Sequence, residues 1–274
     1  MKGHGDLRKG KLDGRVVWIT GASAGIGAEL AAGCAARGAR TVLTARREEA
    51  LRRTQERCGG AERSAVVTAD LADLDGLEAV TEAAWSAFGR IDMVVLNAAV
   101  SQRGTAVDTD SAVVRKVHTL NYLSPVAILR HLVPRMIEVG SGRVVGVSTL
   151  ATRVPTPQRS AYAASKIALE THLVVLRREL QGTGLAVTLA LPGFVRTEIS
   201  KHALNADGSL HGVVDEVQRR GMPPEVCADR ILRGILRGRR EVRIPSDCRT
   251  RIGMFLHRYA PGLLDRLIAR ARVT

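Results

Sequence analysis

Aromatic residues are scarce in this sequence: Phe, Trp and Tyr together make up 3% of its 274 residues. Single-stranded nucleic acids stack on platforms of interleaved aromatic side chains, so this composition argues against a nucleic-acid partner of that kind. Long apolar runs are also missing, since no stretch approaches the ~18 residues that suggest a membrane-spanning helix. The first residues, M-K-G-H-G-D-L-R-K-G-K-L-D-G, contain no apolar segment typical of a secretory signal, and we expect a basic tail there.

The sequence also lacks closely spaced cysteines. Its four cysteines, Cys34, Cys58, Cys227 and Cys248, form no C-x-x-C pair. A zinc site is therefore not predicted, and no other metal-ligand cluster is visible. We expect free thiols and a reducing cytoplasm.

Positive charge, by contrast, is plentiful. The chain has 41 Lys and Arg against 27 Asp and Glu, a net charge of +14. Residues 230–274 alone contain 12 Arg and three acidic residues, a net charge of +9. Such a patch can attract nucleic acid, anionic lipid or acidic partners, but a solvated Arg-rich surface is the commoner interpretation.

Short β-rich runs alternate with helix-length amphipathic stretches along most of the chain. The strand candidates are Val16–Thr20, Thr41–Ala45, Ala65–Ala69, Met93–Asn97, Arg143–Ser148, Leu185–Leu191 and Glu241–Ile244. The helix candidates are Ile26–Arg37, Arg47–Cys58, Leu74–Phe88, Ser111–Glu138, Ser160–Gln181 and Pro224–Leu236. Most strand candidates are near-continuous apolar runs, as in a parallel sheet covered on both faces. The pattern predicts an α/β fold, a single doubly wound (Rossmann) domain with a seven-stranded parallel sheet flanked by helices.

Two regions interrupt this alternation. We expect a basic tail over 1–11, one domain over 12–248 and a basic amphipathic extension over 249–274, called here the C-terminal extension. Residues 194–222 are long for a loop, which is typical of a functional segment, and we interpret them as a lid region beside the site. In the C-terminal extension, a helical stripe of apolar residues lies between arginines: Leu263, Leu264, Leu267 and Ile268. This stripe could pack on the domain, cover a partner subunit or rest on a membrane surface.

A glycine-rich loop, T-G-A-S-A-G-I-G at 20–27, joins the first predicted strand to the first predicted helix. In such a loop Gly21 permits the tight turn, Gly25 lets a pyrophosphate approach the backbone, and Gly27 lets the helix pack close to the strand. Amide groups at the helix start then face the phosphates, and Ser23 adds a hydroxyl donor. The spacing is G-x-x-x-G-x-G, so a glycine-rich turn without a ligand is the alternative.

Tyr162 and Lys166 stand four residues apart in S-A-Y-A-A-S-K, and residues with this spacing share a helix face. A free phenol titrates near ~10, too high for an efficient base at neutral pH. A neighbouring cation favours the phenolate, so we expect Lys166 to lower the pKa of Tyr162 by roughly two to three units, about 3–4 kcal/mol. With the dinucleotide loop, this pair predicts an oxidoreductase acting on an alcohol or a carbonyl.

These two motifs and four others resemble, in their order, the motifs of the classical short-chain dehydrogenase/reductase family, over about Leu12 to Ile244. The other four are Asp70-Leu71, Asn97-Ala98-Ala99, Asn121 in L-N-Y-L-S-P, and Pro192-Gly193 with Thr197. One departure is Ala99, where the family usually has Gly. The T-A-R-R tip of the second strand and the long tail are most similar to the hydroxysteroid-dehydrogenase-like branch.

The resemblance implies four catalytic residues. Tyr162 exchanges the proton, Lys166 also holds the nicotinamide ribose, and Asn121 distorts its helix and helps to hold a water molecule that feeds protons to the lysine. The family serine, thirteen residues before the tyrosine, corresponds to Thr149 here. Because adjacent strand residues point to opposite faces, we predict Thr149 as the hydroxyl that bonds the substrate oxygen, with Ser148 as the alternative.

The resemblance also implies a cofactor site. Its residues are Gly21, Ser23, Gly25, Ile26, Gly27, Arg46, Asp70, Leu71, Asn97, Ala98, Tyr162, Lys166, Pro192, Gly193 and Thr197. NAD sites usually carry an acid after the second strand, whereas this strand runs into Arg46-Arg47. Arg suits a 2′-phosphate by charge and by geometry, so we predict NADP(H). Glu48 and Glu49 are expected in the first turn of the following helix, where acids are favourable.

The substrate is less clearly encoded. Leu150, Val154, Pro155 and the lid region suggest an apolar pocket for a hydrophobic ketone or secondary alcohol. The alternatives are a reductase of carrier-linked 3-oxoacyl thioesters, which the basic tail would help to dock, and a non-catalytic dinucleotide-binding scaffold. The resemblance further implies a homo-oligomer, and we expect a cytoplasmic protein, with peripheral membrane contact through the C-terminal extension left open.

Overall fold

The computed structural model describes residues 12–270, so the predicted basic tail and the last four residues of the C-terminal extension lie outside the described residues. The strands are β1 Val16–Thr20, β2 Arg40–Ala45, β3 Ser64–Thr68, β4 Met93–Leu96, β5 Gln102–Arg103, β6 Gly142–Val147, β7 Leu185–Pro192, β8 Leu204–Asn205 and β9 Glu241–Ile244. Seven of them form one parallel sheet in the order β3-β2-β1-β4-β6-β7-β9. The predicted α/β fold and its seven-stranded sheet are confirmed.

Helices cover both faces of this sheet. They are α1 Gly25–Ala35, α2 Glu48–Arg57, α3 Leu77–Ser86, α4 Ser111–His118, α5 Ser124–Val139, α6 Ser160–Glu179, α7 Glu216–Arg219, α8 Pro224–Leu236, α9 Cys248–Tyr259 and α10 Pro261–Arg270. Helices α1, α2 and α8 contribute to the apolar core on one face, and α3, α5 and α6 to the core on the other. The helices thus follow the alternation that the sequence predicted.

Strand β1 shows why the sheet needs both layers. All five of its residues are buried. Val17 and Ile19 join one apolar core, while Val16 and Trp18 join the other, because successive side chains of a strand point to opposite faces. The indole Nε1 of Trp18 donates to Thr44 Oγ1 at 2.8 Å, so its polar group is satisfied inside the core.

The predicted helix over Ser111–Glu138 is helical throughout, but its middle is not a regular α-helix, so α4 and α5 are its two α-helical parts. Residues 119–123 between them form a π-helical turn. Pro125, at the start of α5, has no N–H to donate to the carbonyl of Asn121 four residues earlier, so a regular α-helical ladder cannot pass this point. Such π-bulges occur frequently at functional sites.

The lid region contains more regular structure than a loop. Its strand β8 pairs in parallel with β5, α7 lies near its end, and Val195 forms an isolated bridge with Met222. These contacts fold residues 194–222 back onto the carboxyl edge of the sheet.

The C-terminal extension forms α9 and α10. Met254 packs against the core on the α5 and α6 side, and Leu264 is buried, but Leu263 and Leu267 remain 51% and 47% exposed. Packing on the domain, one of the three interpretations, therefore accounts for part of the apolar stripe only. No helix within residues 12–270 is both long and apolar enough to cross a membrane.

Candidate active site

The glycine-rich loop joins β1 to α1 in a conformation that needs its glycines. Gly21 and Gly25 have φ angles of +67° and +56°, a region that side-chain-bearing residues rarely adopt. A Cβ atom on Gly27 would overlap the carbonyl oxygen of Gly21, so only glycine lets α1 pack this closely against the loop. The residue before α1, Ala24, provides no side-chain cap, which leaves the first amides of the helix facing the cleft described below.

The Asn97 turn is bonded to this loop. Asn97 Nδ2 donates to the carbonyl oxygens of Thr20 at 3.0 Å and Gly21 at 3.2 Å. In return, Thr20 Oγ1 accepts from the backbone amides of Asn97 and Ala98 at 3.0 and 3.1 Å. Four hydrogen bonds therefore fix the ends of β1 and β4 relative to each other. The strand order reverses between these two strands, where ligands of open α/β sheets bind.

A cleft of about 320 Å³ opens at this point, along the carboxyl edge of the sheet. Ten of the predicted cofactor residues line it: Gly21, Ser23, Gly25, Ile26, Arg46, Asp70, Leu71, Asn97, Ala98 and Thr197. Five others do not line it: Gly27, Tyr162, Lys166, Pro192 and Gly193. Glu198, Ile199 and His202 also form its wall. They belong to the predicted lid region, although the sequence analysis did not name these three residues.

Two arginines stand at the tip of β2. Arg46 and Arg47 line the cleft, and within residues 12–270 neither guanidinium has a hydrogen-bond or ion-pair partner. Glu48 and Glu49 occupy the first turn of α2, as expected, and face Arg52 and Arg53 at 3.0 and 3.9 Å. A basic pair, with the nearest acids engaged elsewhere, therefore lies at the end of the cleft.

Thr149 and Tyr162 come together beside α6. Thr149 precedes a short 3₁₀ turn after β6, and its hydroxyl accepts from the amide of Ala151 at 3.2 Å. The same side chain is close enough to Tyr162 to lower the pKa of its phenol. Ser148 points away and donates to Glu170 at 2.5 Å. Of the two candidate hydroxyls, the structure thus puts Thr149 next to the tyrosine.

Asn121 is fully buried in the π-helical turn. Its Oδ1 accepts from the amide of Val100, and its Nδ2 donates to the carbonyl of Val100 and to Ser165 Oγ, at 2.9, 2.9 and 3.0 Å. Ser165 in turn donates to the carbonyl of Tyr162 at 2.8 Å. The asparagine side chain therefore holds the turn against α6, one residue before Lys166.

The expected effect of Lys166 on Tyr162 does not appear in the structure. Lys166 Nζ donates to the carbonyl of Val147 at 2.9 Å, and burial lowers the pKa of Lys166 to about 8, against the opposing charge of Glu170. The pKa of Tyr162 is raised above its usual value, because burial outweighs the opposing effects of Arg159, of the Thr149 hydrogen bond and of Arg103. The two guanidinium groups, and not the ammonium group, are the cations that act on the phenol.

These two arginines and Asp215 form a buried cluster that sequence reasoning missed. Arg103 Nη2 and Arg159 Nη2 lie 2.6 and 3.1 Å from Asp215 Oδ2. Arg159 stands three residues before Tyr162, so helical spacing could have indicated it. Arg103 and Asp215 are 112 positions apart, and no local pattern connects them.

Comparison with known proteins agrees with this geometry. The family model described as short chain dehydrogenase matches residues 15–207. Dehydrogenase/reductase SDR family member 7B of Bos taurus is 37% identical over 265 residues, covering 94% of this chain and 81% of the relative. Dehydrogenase/reductase SDR family protein 7-like of Drosophila melanogaster is 34% identical over 270 residues, covering 97% and 82%.

Solved structures show the same similarity. A short-chain dehydrogenase from Streptomyces avermitilis has a TM-score of 0.78 and 27% identity, covering 93% of this chain and 94% of its own. A metagenomic short-chain oxidoreductase in complex with NADP has a TM-score of 0.71 and 28% identity, covering 86% and 98%. A Burkholderia phymatum short-chain dehydrogenase/reductase in complex with NAD shares the fold, with a TM-score of 0.80 and 23% identity, covering 92% and 96%.

Proposed function

The chain belongs to the short-chain dehydrogenase/reductase family of oxidoreductases, and from that premise we propose that it interconverts a ketone and a secondary alcohol with NADP(H). The observation that carries the proposal is a cleft at the carboxyl edge of the sheet that is lined by the glycine loop, Asn97 and Arg46, with Thr149, which follows the carboxyl end of β6, close enough to Tyr162 to lower the pKa of its phenol. The glycine loop would hold the pyrophosphate, and the bound cofactor supplies or accepts the hydride.

Tyr162 is the proposed proton donor in the reducing direction. Because burial raises the pKa of its phenol, the phenol is protonated at neutral pH and can donate to a carbonyl oxygen as negative charge develops there. Thr149 offers a second hydrogen bond to the same oxygen. The reverse reaction needs the phenolate, so alcohol oxidation should rise towards alkaline pH while ketone reduction falls only above the phenol pKa.

The choice of NADP(H) depends on Arg46 and Arg47. Their guanidinium groups line the cleft with no ion-pair partner among residues 12–270, and a 2′-phosphate accepts hydrogen bonds from such groups in a bidentate manner. An acid that would bond a free ribose hydroxyl is missing from the tip of β2, since Glu48 and Glu49 belong to α2.

Substituting Tyr162 tests the proposed mechanism. Tyr162→Phe should reduce NADPH-dependent ketone turnover by at least ~100-fold, because the proton donor is removed, while NADPH still quenches or shifts protein fluorescence on binding. Tyr259→Phe is a matched control, since Tyr259 is 66% exposed on α9. A Tyr162→Phe enzyme that keeps a rate near that of the wild type would exclude the mechanism.

A second candidate, reduction of carrier-linked 3-oxoacyl thioesters, is favoured by the net charge of +9 over residues 230–274, which could dock an acidic carrier. Turnover of a carrier-bound 3-oxoacyl thioester, compared with the same acyl group on a small thiol, tests it. A carrier-bound substrate that is no better than the small thioester would remove this candidate.

We further propose that the protein is a cytoplasmic homo-oligomer. The free, buried thiols of Cys34, Cys58 and Cys227 suit a reducing compartment. The exposed apolar side chains of α9 and α10 suit either a second subunit or an anionic membrane surface. Size-exclusion chromatography with light scattering tests the oligomeric state.

A further inference from the structure

Arg103, Arg159 and Asp215, the last of them from the lid region, form a cluster that is nearly buried. The side chains of Arg103, Arg159 and Asp215 are 9%, 10% and 11% exposed. Arg103 comes from β5, Arg159 directly precedes α6, and Asp215 directly precedes α7 in the lid region. Three separate segments therefore bring their charges to one place beside the proposed catalytic tyrosine.

Positive charge exceeds negative charge in this cluster. One oxygen of Asp215, Oδ2, accepts from Arg103 Nε at 3.0 Å and Nη2 at 2.6 Å, and from Arg159 Nη2 at 3.1 Å. His211 Nε2 contacts the other oxygen at 3.1 Å. A single carboxylate thus serves two guanidinium groups, and an uncompensated buried charge is costly.

The two arginines differ in how many of their N–H donors are used in hydrogen bonds to residues 12–270. All three guanidinium nitrogens of Arg103 donate hydrogen bonds. Nε and Nη2 donate to Asp215, and Nη1 donates to Ser101 Oγ at 2.7 Å and to the carbonyl of Gln102 at 2.8 Å. Arg159 uses only Nη2 for hydrogen bonding to residues 12–270. Its guanidinium carbon lies 5.4 Å from the ring centroid of Phe194, which orients the group while its remaining N–H donors stay available.

Arg159 also lies close to the proposed catalytic tyrosine in the chain, because it directly precedes α6, three residues before Tyr162. Its charge lowers the pKa of the Tyr162 phenol, second only to the opposing effect of burial. Burial and repulsion from Arg103 in turn lower the pKa of Arg159. An oxyanion beside Arg159 would relieve this repulsion and accept hydrogen bonds from its remaining N–H donors.

We propose that Arg159, positioned by Asp215 and supported by Arg103, binds an oxyanion group of the substrate, so that the enzyme acts on ketones or alcohols that carry a carboxylate or a phosphate. The proposal rests on the proposed oxidoreductase function and changes the expected substrate from a wholly apolar molecule to an anionic one. Guanidinium groups recognise both oxyanions by the same paired hydrogen bonds.

Matched substrates test this proposal. A series of 4-oxoalkanoates of increasing chain length is compared with the corresponding methyl esters, and the same ketones with a terminal phosphate monoester are compared with the free alcohols. The wild type should show a kcat/KM at least ~10-fold higher for one charged member of a pair than for its neutral partner. The pair with the larger ratio identifies whether the oxyanion is a carboxylate or a phosphate.

Variants then assign the effect to Arg159. In Arg159→Gln the charged-to-neutral ratio should fall towards one, chiefly through KM, whereas any change in the acidity of Tyr162 affects both members of a pair equally. Arg159→Lys, which keeps the charge, should retain part of the preference. Arg219→Gln is the control in the lid region, because Arg219 is exposed and its substitution should leave the ratio unchanged.

An inhibition measurement on the wild type needs no variant. Nonanoate should compete with a neutral ketone at least ~10-fold better than nonanamide, because only the carboxylate meets the guanidinium group. Equal turnover of charged and neutral ketones, together with equal inhibition by the two compounds, would overturn the subsite while leaving the oxidoreductase function intact. If no ketone is turned over, the proposed oxidoreductase function is refuted on its own. Calorimetry then still tests the oxyanion subsite, because nonanoate should bind the wild type more tightly than Arg159→Gln.

Discussion

Replacing Lys166 with methionine is expected to stabilise the folded protein at neutral pH, although it removes a proposed catalytic group. The Lys166 side chain is 2% exposed, and burial lowers its pKa from 10.5 to about 8 in the folded state. At pH 7 the charged ammonium group of Lys166 therefore has a higher free energy in the folded protein than in water. Methionine has a similar unbranched shape without the charge.

The magnitude follows from the shift in pKa. A change from 10.5 to about 8 corresponds to about 3 kcal/mol of unfavourable free energy at pH 7, where both states are protonated. Loss of the Nζ hydrogen bond to Val147 offsets roughly 1–2 kcal/mol of this gain. Glu170 keeps Arg153, Ser148 and Thr152 as partners. We expect a net gain of about 1–2 kcal/mol.

The pH dependence gives the sharper test because the hydrogen-bond offset enters only as a constant. Since the folded pKa of Lys166 is depressed, the unfolded chain binds more protons between pH 8 and 10.5, and wild-type stability gains from this group as pH rises. The free energy of unfolding of Lys166→Met minus that of the wild type should therefore fall by about 3 kcal/mol from pH 7 to 10.5. Other groups titrate alike in both proteins and cancel.

Urea unfolding of both proteins at pH 7, 8, 9 and 10 measures this difference. Lys116→Met is the matched control, because Lys116 lies on the exposed face of α4 and its substitution should give a difference that is flat with pH. If Lys166→Met is destabilised by the same amount at every pH, the lysine carries no desolvation penalty and the reasoning is refuted.

Three other predictions follow from single contacts. Gly27→Ala should lose about 1–3 kcal/mol of stability and most of its NADPH affinity, because the added Cβ would overlap the glycine loop. Gly262→Ala, with no atom within 4 Å of the added Cβ, is the control and should lose neither. Equal thermal unfolding temperatures for the two variants would contradict this prediction. Arg46→Asp should lower kcat/KM for NADPH relative to NADH at least ~10-fold, and an unchanged cofactor preference would show that Arg46 does not meet a 2′-phosphate. Phe255→Glu with Leu263→Glu should abolish flotation with anionic vesicles if the C-terminal extension binds a membrane; a wild type that does not float refutes membrane contact.

The strands of the sheet could be predicted because the residue pattern that indicates each strand lies within the strand itself. β1 and β9 have the predicted bounds, and β2 differs from its prediction by one residue. Strand β1 is buried on both faces and is almost wholly apolar, so its apolar run and the strand coincide. Strand β9, at the edge of the sheet, instead alternates the buried Val242 and Ile244 with Glu241 and Arg243. The same holds for the glycine loop, where positive φ angles at Gly21 and Gly25 leave a mark in the sequence itself.

The π-helical turn between α4 and α5 had a local signal that apolar periodicity concealed. Pro125 stands in the middle of the predicted helix, and proline near a helix start is a recognised boundary. Apolar residues continue on both sides of the break, such as Val117 and Ile128, because both helices pack on the same domain. Periodicity alone therefore predicted the helical stretch but not the π-helical turn inside it.

The electrostatics of Tyr162 could not be read from the sequence, since two cations compete for the same helix face. Arg159 lies three residues before the tyrosine and Lys166 four residues after it, and both spacings permit contact. Partners outside α6 decide which of the two cations acts on the phenol. The Val147 carbonyl at the end of β6 accepts a hydrogen bond from the Lys166 ammonium group at 2.9 Å, and Asp215 from the lid region accepts one from Arg159. Displacing the lid region should therefore change the pKa of the Tyr162 phenol, although the lid region lies outside α6.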